Sequence, residues 1–248
     1  VSLLSLKNIG LSYPVFHSDS NTGAHKQSRT GGIITRNRRK KLEVTALSDI
    51  NIELKDGEKI GLLGHNGSGK TSLLRVMSGT VKPSLGYIRR VGKTLALLNP
   101  SVGLEMQMTG YENIDQLGLL YGISRRKLGA LRDDVAEFSE LADFLNLQVQ
   151  TYSAGMQTRL AFGVATAFHP EILVADENIG AGDAAFIRKA QARMQQMMDQ
   201  ASILVLASHS MDTILQLCNR AIIMEHGRII ADGDVKDIVD LYRSQTDG

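Results

Sequence analysis

The sequence has no tryptophan, four prolines and a single cysteine, Cys218. One cysteine excludes an intramolecular disulfide and fits a reducing compartment, so the chain must be held together by its core. With 248 residues, 43% of them hydrophobic, it can bury one sizeable core, with or without a satellite subdomain. Long apolar runs are missing too. Stretches such as Ile203 to Ala207 fall far short of the roughly 20 residues that span a bilayer. The N-terminus shows no basic segment followed by an apolar signal core. The expectation is a cytoplasmic protein whose membrane role, if it has one, runs through a partner. A net charge of +2 gives no reason to expect nucleic acid. Arg36, Arg38, Arg39, Lys40 and Lys41 do concentrate positive charge, and are read as a solvated loop.

Residues 2–13 and 44–54 alternate in the β manner, and the polar segment 17–41 between them reads as a long loop or insertion. Glu58 to Leu63 is an apolar strand that runs into a glycine-rich turn and a helix over 70–79. A further strand is expected near Thr94 to Leu98. The pattern then turns helical from about Tyr111 to Phe168. From Glu171 onward the apolar runs Ile172 to Ala175 and Ile203 to Ala207 flank the amphipathic stretch Asp183 to Gln200, the pattern of a parallel α/β sheet. Asp234 is placed to cap a last helix with Val235, Ile238, Val239 and Tyr242 on one face. Met194, Met197 and Met198 read as helix packing. There is no internal repeat.

The strongest chemical signal is Gly64-His65-Asn66-Gly67-Ser68-Gly69-Lys70-Thr71, a complete G-x-x-x-x-G-K-[ST] between a predicted strand and a predicted helix. Glycines let backbone N–H groups wrap the phosphates of ATP, and the helix N-terminus adds about half a positive charge. Lys70 neutralises β/γ oxygens and the Thr71 hydroxyl can ligate Mg²⁺, with Ser72 next in the cradle. A second element is Ile172-Leu173-Val174-Ala175-Asp176-Glu177, a buried strand delivering two carboxylates at its C-terminal end. Asp176 would hold Mg²⁺ and Glu177 would polarise the attacking water. These two elements define a P-loop NTPase.

Which kind is decided by Thr151-Tyr152-Ser153-Ala154-Gly155-Met156-Gln157-Thr158-Arg159-Leu160-Ala161-Phe162. This stretch resembles the ABC signature in the Tyr-Ser-x-Gly-Met form used by ATPases that export capsular polysaccharide, O-antigen or teichoic acid. It departs from the commoner Leu-Ser-Gly-Gly-Gln at Ala154 and Met156. Ser153 would cap a helix with Met156, Leu160, Val164 and Phe168 on one face, its free N–H groups aimed at an anion. The resemblance extends over nearly the whole chain. Asp183 stands at the D-loop position, Ser208-His209 matches the switch histidine, and Tyr13 matches the adenine-stacking aromatic, with Phe16 as rival. Where most members carry a glutamine after the strand ending at Leu98, this chain has Asn99-Pro100. Asn99 could offer its amide oxygen to Mg²⁺ or water, with Glu105 and Gln107 nearby. Thr109-Gly110-Tyr111-Glu112-Asn113 again resembles the exporters.

The resemblance implies a RecA-like α/β core (residues 1–98 and 166–248) with an N-terminal antiparallel β portion and a helical subdomain, 99–165, that carries the signature. It implies a homodimer that sandwiches two ATP molecules, each between Gly64–Thr71 of one copy and Ser153–Gly155 of the other, at the cytoplasmic face of the bacterial inner membrane. Hydrolysis would drive a separate permease that handles a lipid-linked polysaccharide, with Asn99 to Met108 as the coupling surface. No carbohydrate-recognition module is expected beyond residue 248. Two other readings stand beside it: the ATPase of a small-solute importer, disfavoured by the Tyr-Ser-Ala-Gly-Met form, and a soluble non-transport ABC protein. The latter usually has two cassettes in one chain or a long coiled coil, and no heptad run fills the stretch between Lys70 and Ser153.

Overall fold

The computed structural model describes residues 1–14, 33–36, 42–98, 103–176 and 184–246. In chain order the elements are β1 (Leu3–Pro14), β2 (Ile33–Arg36), β3 (Leu42–Lys55), β4 (Lys59–Leu63), α1 (Lys70–Ser78), β5 (Leu85–Val91), β6 (Thr94–Leu97), α2 (Gly110–Leu120), α3 (Leu128–Ser139), α4 (Ala154–Thr166), β7 (Ile172–Asp176), α5 (Ala184–Gln200), β8 (Ile203–Ala207), α6 (Met211–Leu217), β9 (Arg220–Glu225), β10 (Arg228–Asp234) and α7 (Val235–Thr246). They fall into two compact units: Val1–Leu98 with Pro170–Glu177 and Ala201–Gly248, and Asn99–His169 with Asn178–Gln200.

The first unit holds two sheets. One is antiparallel, in the order β2-β3-β1-β5. The other has the order β10-β9-β4-β8-β7-β6, parallel throughout except for the edge strand β10. The all-apolar runs of β7 and β8 explain this topology, because a strand buried on both faces belongs inside a parallel sheet. Helix α1 turns Leu73, Leu74, Val76 and Met77 into the core shared with Leu62, Val174 and Val205. Arg220 fastens the β9–β10 hairpin to the sheet: it grips Asp232 with two 2.8 Å hydrogen bonds and donates to Glu58 at 2.6 Å. That bidentate grip holds the guanidinium pKa well above its ordinary value. Burial pushes the Cys218 thiol up to about 12, so it stays protonated and inert.

Three features differ from expectation. The segment expected as loop over 17–41 contains β2, paired antiparallel with β3 from Ile33↔Thr45 to Arg36↔Leu42. The isoleucines supply β propensity that the polar neighbours mask. The helical block is broken by 3-10 turns at Arg125–Lys127, Ala142–Asn146 and Val149–Thr151. Finally, α5 lies within the expected core bounds of 166–248, yet it groups with the helical unit. Its Phe186 ring packs against Phe138 and Phe162, at centroid distances of 5.5 and 6.4 Å, and Lys189 pairs with Glu140 at 2.8 Å. Among the described residues no helix is long and apolar enough to cross a membrane.

Candidate nucleotide site

Sheet register brings the catalytic candidates of the first unit together. Leu62 of β4 lies level with Ala207 of β8, and Ala207 lies level with Asp176 of β7. The phosphate loop, Asp176 and Ser208-His209 therefore leave the sheet side by side at the C-terminal ends of parallel strands, where open α/β sheets bind ligands. Asp176 is close enough to Lys70 for its carboxylate to raise the ammonium pKa, although burial acts more strongly and leaves that pKa below the ordinary lysine value.

The loop's shape depends on its glycines. Gly64 has φ 143° and a Cβ there would overlap the Met224 carbonyl oxygen, so no other residue fits without moving β9. Gly69, at φ 109°, forms the N-cap of α1 and contributes no side-chain acceptor, and the first turn holds no acidic residue. The leading amides of α1 are thus left for an external anion. Lys70 Nζ donates to the carbonyls of Gly64 and His65, which curls its charge over the loop. Ser68 Oγ is buried, and among the described residues it has no hydrogen-bond partner. An uncapped helix start, a desolvated ammonium and an orphaned buried hydroxyl form one cradle that suits polyanionic oxygen. Asp176 and the Thr71 hydroxyl are hard oxygen donors, the type Mg²⁺ takes.

In the helical unit, Ser153 caps α4, its hydroxyl accepting from the Met156 amide at 3.3 Å. Leu160 and Val164 are buried, and Met156 and Phe168 pack against the same core; Phe168 lies just past the helix end. Tyr152 is buried beneath the cap and donates to the Phe144 carbonyl at 2.6 Å. Ser153, Gly155 and Met156 line a recess of about 360 Å³ with Glu140, Phe144 and Arg159. A Cβ on Gly155 would meet nothing nearer than Ser153 Oγ at 3.9 Å. Packing among the described residues therefore does not demand this glycine.

The other expected residues are more scattered. Tyr13 is 36% exposed near the end of β1, opposite Val44. His209 is exposed and engaged in an interaction with its surroundings, following a Ser208 whose hydroxyl accepts from the Ser210 amide at 2.9 Å. Asn99, Phe16, Glu177 and Asp183 lie outside the described residues. So does Val102 of the expected coupling segment, in which Leu104 packs on the helical core and Met106 is 41% exposed. Sequence reasoning names Asn113 only as part of the exporter-like stretch and gives it no role. This buried amide donates to the carbonyls of Glu105 and Thr109 and accepts from the Glu105 amide at 2.7 Å, pinning that segment to α2. Backbone bonds from Gln150 to Met106 and from Val149 to Met108 then tie it to the turn before Ser153.

A family model described as ABC transporter matches residues 47–180, which covers the phosphate loop, the signature and Asp176-Glu177. The chain belongs to the ABC transporter family. It is an ATP-binding cassette and an ATPase. Among its relatives, the O-antigen export system ATP-binding protein RfbE of Yersinia enterocolitica is 43% identical over 228 residues, spanning 91% of this chain and 95% of that protein. The teichoic acids export ATP-binding protein TagH of Listeria innocua is 33% identical over 236 residues, spanning 95% of this chain and 70% of that one. Among solved structures, an ATP-binding subunit of an ABC transporter superposes with a TM-score of 0.69 at 21% identity, covering 97% of this cassette and 93% of that chain. A dimeric cassette captured after hydrolysis with ADP and Pi superposes at 0.65 with 20% identity, covering 94% and 98%. At that identity the likeness speaks for the fold.

Proposed function

We propose that this cassette works as a homodimer on the cytoplasmic face of the inner membrane, hydrolysing ATP to drive a separate permease that exports a lipid-linked polysaccharide. The observation that carries the reading is the cassette's 43% identity to an O-antigen export ATP-binding protein along 95% of that protein's length. The Tyr152-Ser153-Ala154-Gly155-Met156 form of the signature supports it.

In this reading, Gly64–Ser72 holds the phosphates of ATP, with Lys70 countering their charge at the β and γ positions. Tyr13 stacks on the adenine, worth roughly 1–3 kcal/mol. Thr71 and Asp176, with Asn99 as a further candidate, would hold Mg²⁺, which would supply charge neutralisation for the phosphate oxygens. Glu177 accepts a proton from the attacking water while His209 contacts the γ-phosphate and Asp183 acts across the dimer interface. Ser153, Ala154 and Gly155 of the second copy close the site, the open space above Gly155 allowing a close approach from outside the chain. The backbone ladder from Met106 and Met108 to Val149 and Gln150 gives the Asn99–Met108 segment a physical route from the signature to a permease surface.

Glu177→Gln should hold ATP while lowering turnover by roughly 10²–10⁴, because the amide can position water but cannot take its proton. A tagged Glu177→Gln chain, loaded with ATP and recovered from its native membranes, should bring down a polytopic permease with no solute-binding protein. Recovery of a solute-binding protein, or turnover at the wild-type rate, would overturn the reading.

A further inference from the structure

We propose a second metal site, for a borderline transition ion of the Zn²⁺ class, built from His65, Glu225 and His226. It is distinct from the Mg²⁺ that accompanies ATP, because its donors are two imidazoles and one carboxylate rather than an all-oxygen set. One ligand atom from each residue lies within 4.8 Å of the others. A tetrahedral zinc with bonds of about 2.0–2.1 Å separates its ligands by roughly 3.4 Å, so the cluster needs to close by little more than about 1 Å. Two of the three side chains are exposed and the third is half-buried, which leaves their torsions free to make that adjustment.

The geometry around the cluster favours metal over chance proximity. His65 Nδ1–H donates to the Asn66 carbonyl at 2.8 Å, which sets the tautomer and leaves the Nε2 lone pair outward. A backbone carbonyl on the second ring nitrogen is the usual partner of a metal-bound histidine. His226 Nε2 already faces Glu225 Oε1 at 4.0 Å, and the two imidazole rings meet edge to face with centroids 5.6 Å apart. His226 and Gly227 form the two-residue turn between β9 and β10, with φ of 45° and 75°. Asn or Asp is the commoner residue at the first position of such a turn. The turn is rigid at its base, through Arg220, and at its tip, where the Gly227 amide donates to the Ser68 carbonyl at 2.8 Å and the Gly227 carbonyl accepts from Ser48 at 2.9 Å. A metal here would rivet the side chain of His65, at the start of the phosphate loop, to a fixed hairpin.

The test uses the full-length, nucleotide-free protein with no affinity tag. Co²⁺ serves as the spectroscopic probe and Zn²⁺ as the competitor. The wild type should bind one equivalent of Co²⁺ with the intense visible absorption of a tetrahedral site, bleached by one equivalent of Zn²⁺, and Zn²⁺ should raise its thermal unfolding midpoint. His226→Asn keeps a residue suited to the turn, and Glu225→Gln keeps the shape of the side chain, so both variants should fold. Each should weaken Zn²⁺ binding by at least the roughly 10–100-fold that even an outer-shell loss costs, and each should abolish the rise in midpoint. Pale octahedral Co²⁺ in the wild type, or wild-type affinity in either variant, would overturn the site.

Discussion

The phosphate loop and the signature both lead into a helix N-terminus, yet they are built on opposite principles. Around Gly64 the chain's own geometry dictates the glycines: φ is 143°, and a side chain would overlap β9. Around Gly155 none of the described residues forbids a side chain. The first site is a cradle completed by its own fold. The second is a helix start whose glycine has room for a methyl among the described residues. A third helix start sharpens the contrast. Helix α2 is closed by a capping box, with Thr109 and Glu112 satisfying each other's backbone amides, whereas α1 has no side-chain cap and α4 has only Ser153. Of these three starts, α2 is sealed twice, α4 once and α1 not at all.

The largest expected effect separates the two glycines directly. Gly64→Ala should cost about 3 kcal/mol or more, from a left-handed backbone imposed on a Cβ and from its overlap with Met224. It would read out as a collapse in thermal unfolding midpoint or in soluble yield. Gly155→Ala lies in a helical turn with room for a methyl. It should leave the midpoint unchanged or raise it, by up to the roughly 0.5–1 kcal/mol of helix propensity. If a second copy closes on this surface, the same methyl should lower ATP turnover on the order of 10²-fold by displacing a reacting phosphate. A Gly155→Ala enzyme with wild-type turnover would break the comparison.

A smaller effect is expected in the segment that follows Asn99. Asn113→Ala removes a fully buried amide and leaves the Glu105 N–H without its acceptor, while the Glu105 and Thr109 carbonyls keep the backbone amides of Met108 and residue 113; it should cost about 1–3 kcal/mol in denaturant unfolding. Asn113→Asp keeps the acceptor for the Glu105 amide but loses the donors, so it should fall short of full rescue. Equal stability of Asn113→Ala and wild type would show that the backbone ladder to Val149 and Gln150 holds the segment unaided.

Much of this was legible in the sequence because the decisive signals are local. A glycine pattern between strand and helix placed Lys70 at the start of α1, and unbroken apolar runs marked β7 and β8 as interior parallel strands. The cap at Ser153 and the last helix after Asp234 were read from single residues, and Asp234 does accept from the Lys236 amide at 2.9 Å. Non-local features escaped. The edge strands β2 and β5 have too little apolar alternation to stand out; β5 leaves Leu85 and Tyr87 exposed. The placement of α5 depends on Phe186 finding two rings from other helices. His65 and His226 lie far apart in the chain and meet only because β9 runs beside β4.

The smallest effect concerns the sealed helix start and is read through pH. Hydrogen bonds from the Thr109 amide and hydroxyl hold the Glu112 carboxyl below its ordinary pKa, and the acid sits at the positive end of α2. A carboxyl whose pKa is depressed by folding stabilises the native state above its unfolded pKa, and that contribution disappears as pH falls through the folded value. Thermal unfolding of wild type and Glu112→Gln should therefore differ most near neutrality and converge as the solution is acidified through the carboxylate range. The glutamine can still accept the Thr109 amide, so the remaining difference reports charge alone. Because α1 has no acid in its first turn, placing one there with Ser72→Glu should stabilise the nucleotide-free protein at neutral pH by no more than a few tenths of a kcal/mol up to about 1 kcal/mol. The same carboxylate should weaken ATP binding by competing for the amides left open. Tighter ATP binding in Ser72→Glu would mean that α1 and α2 do not differ in the way their caps imply.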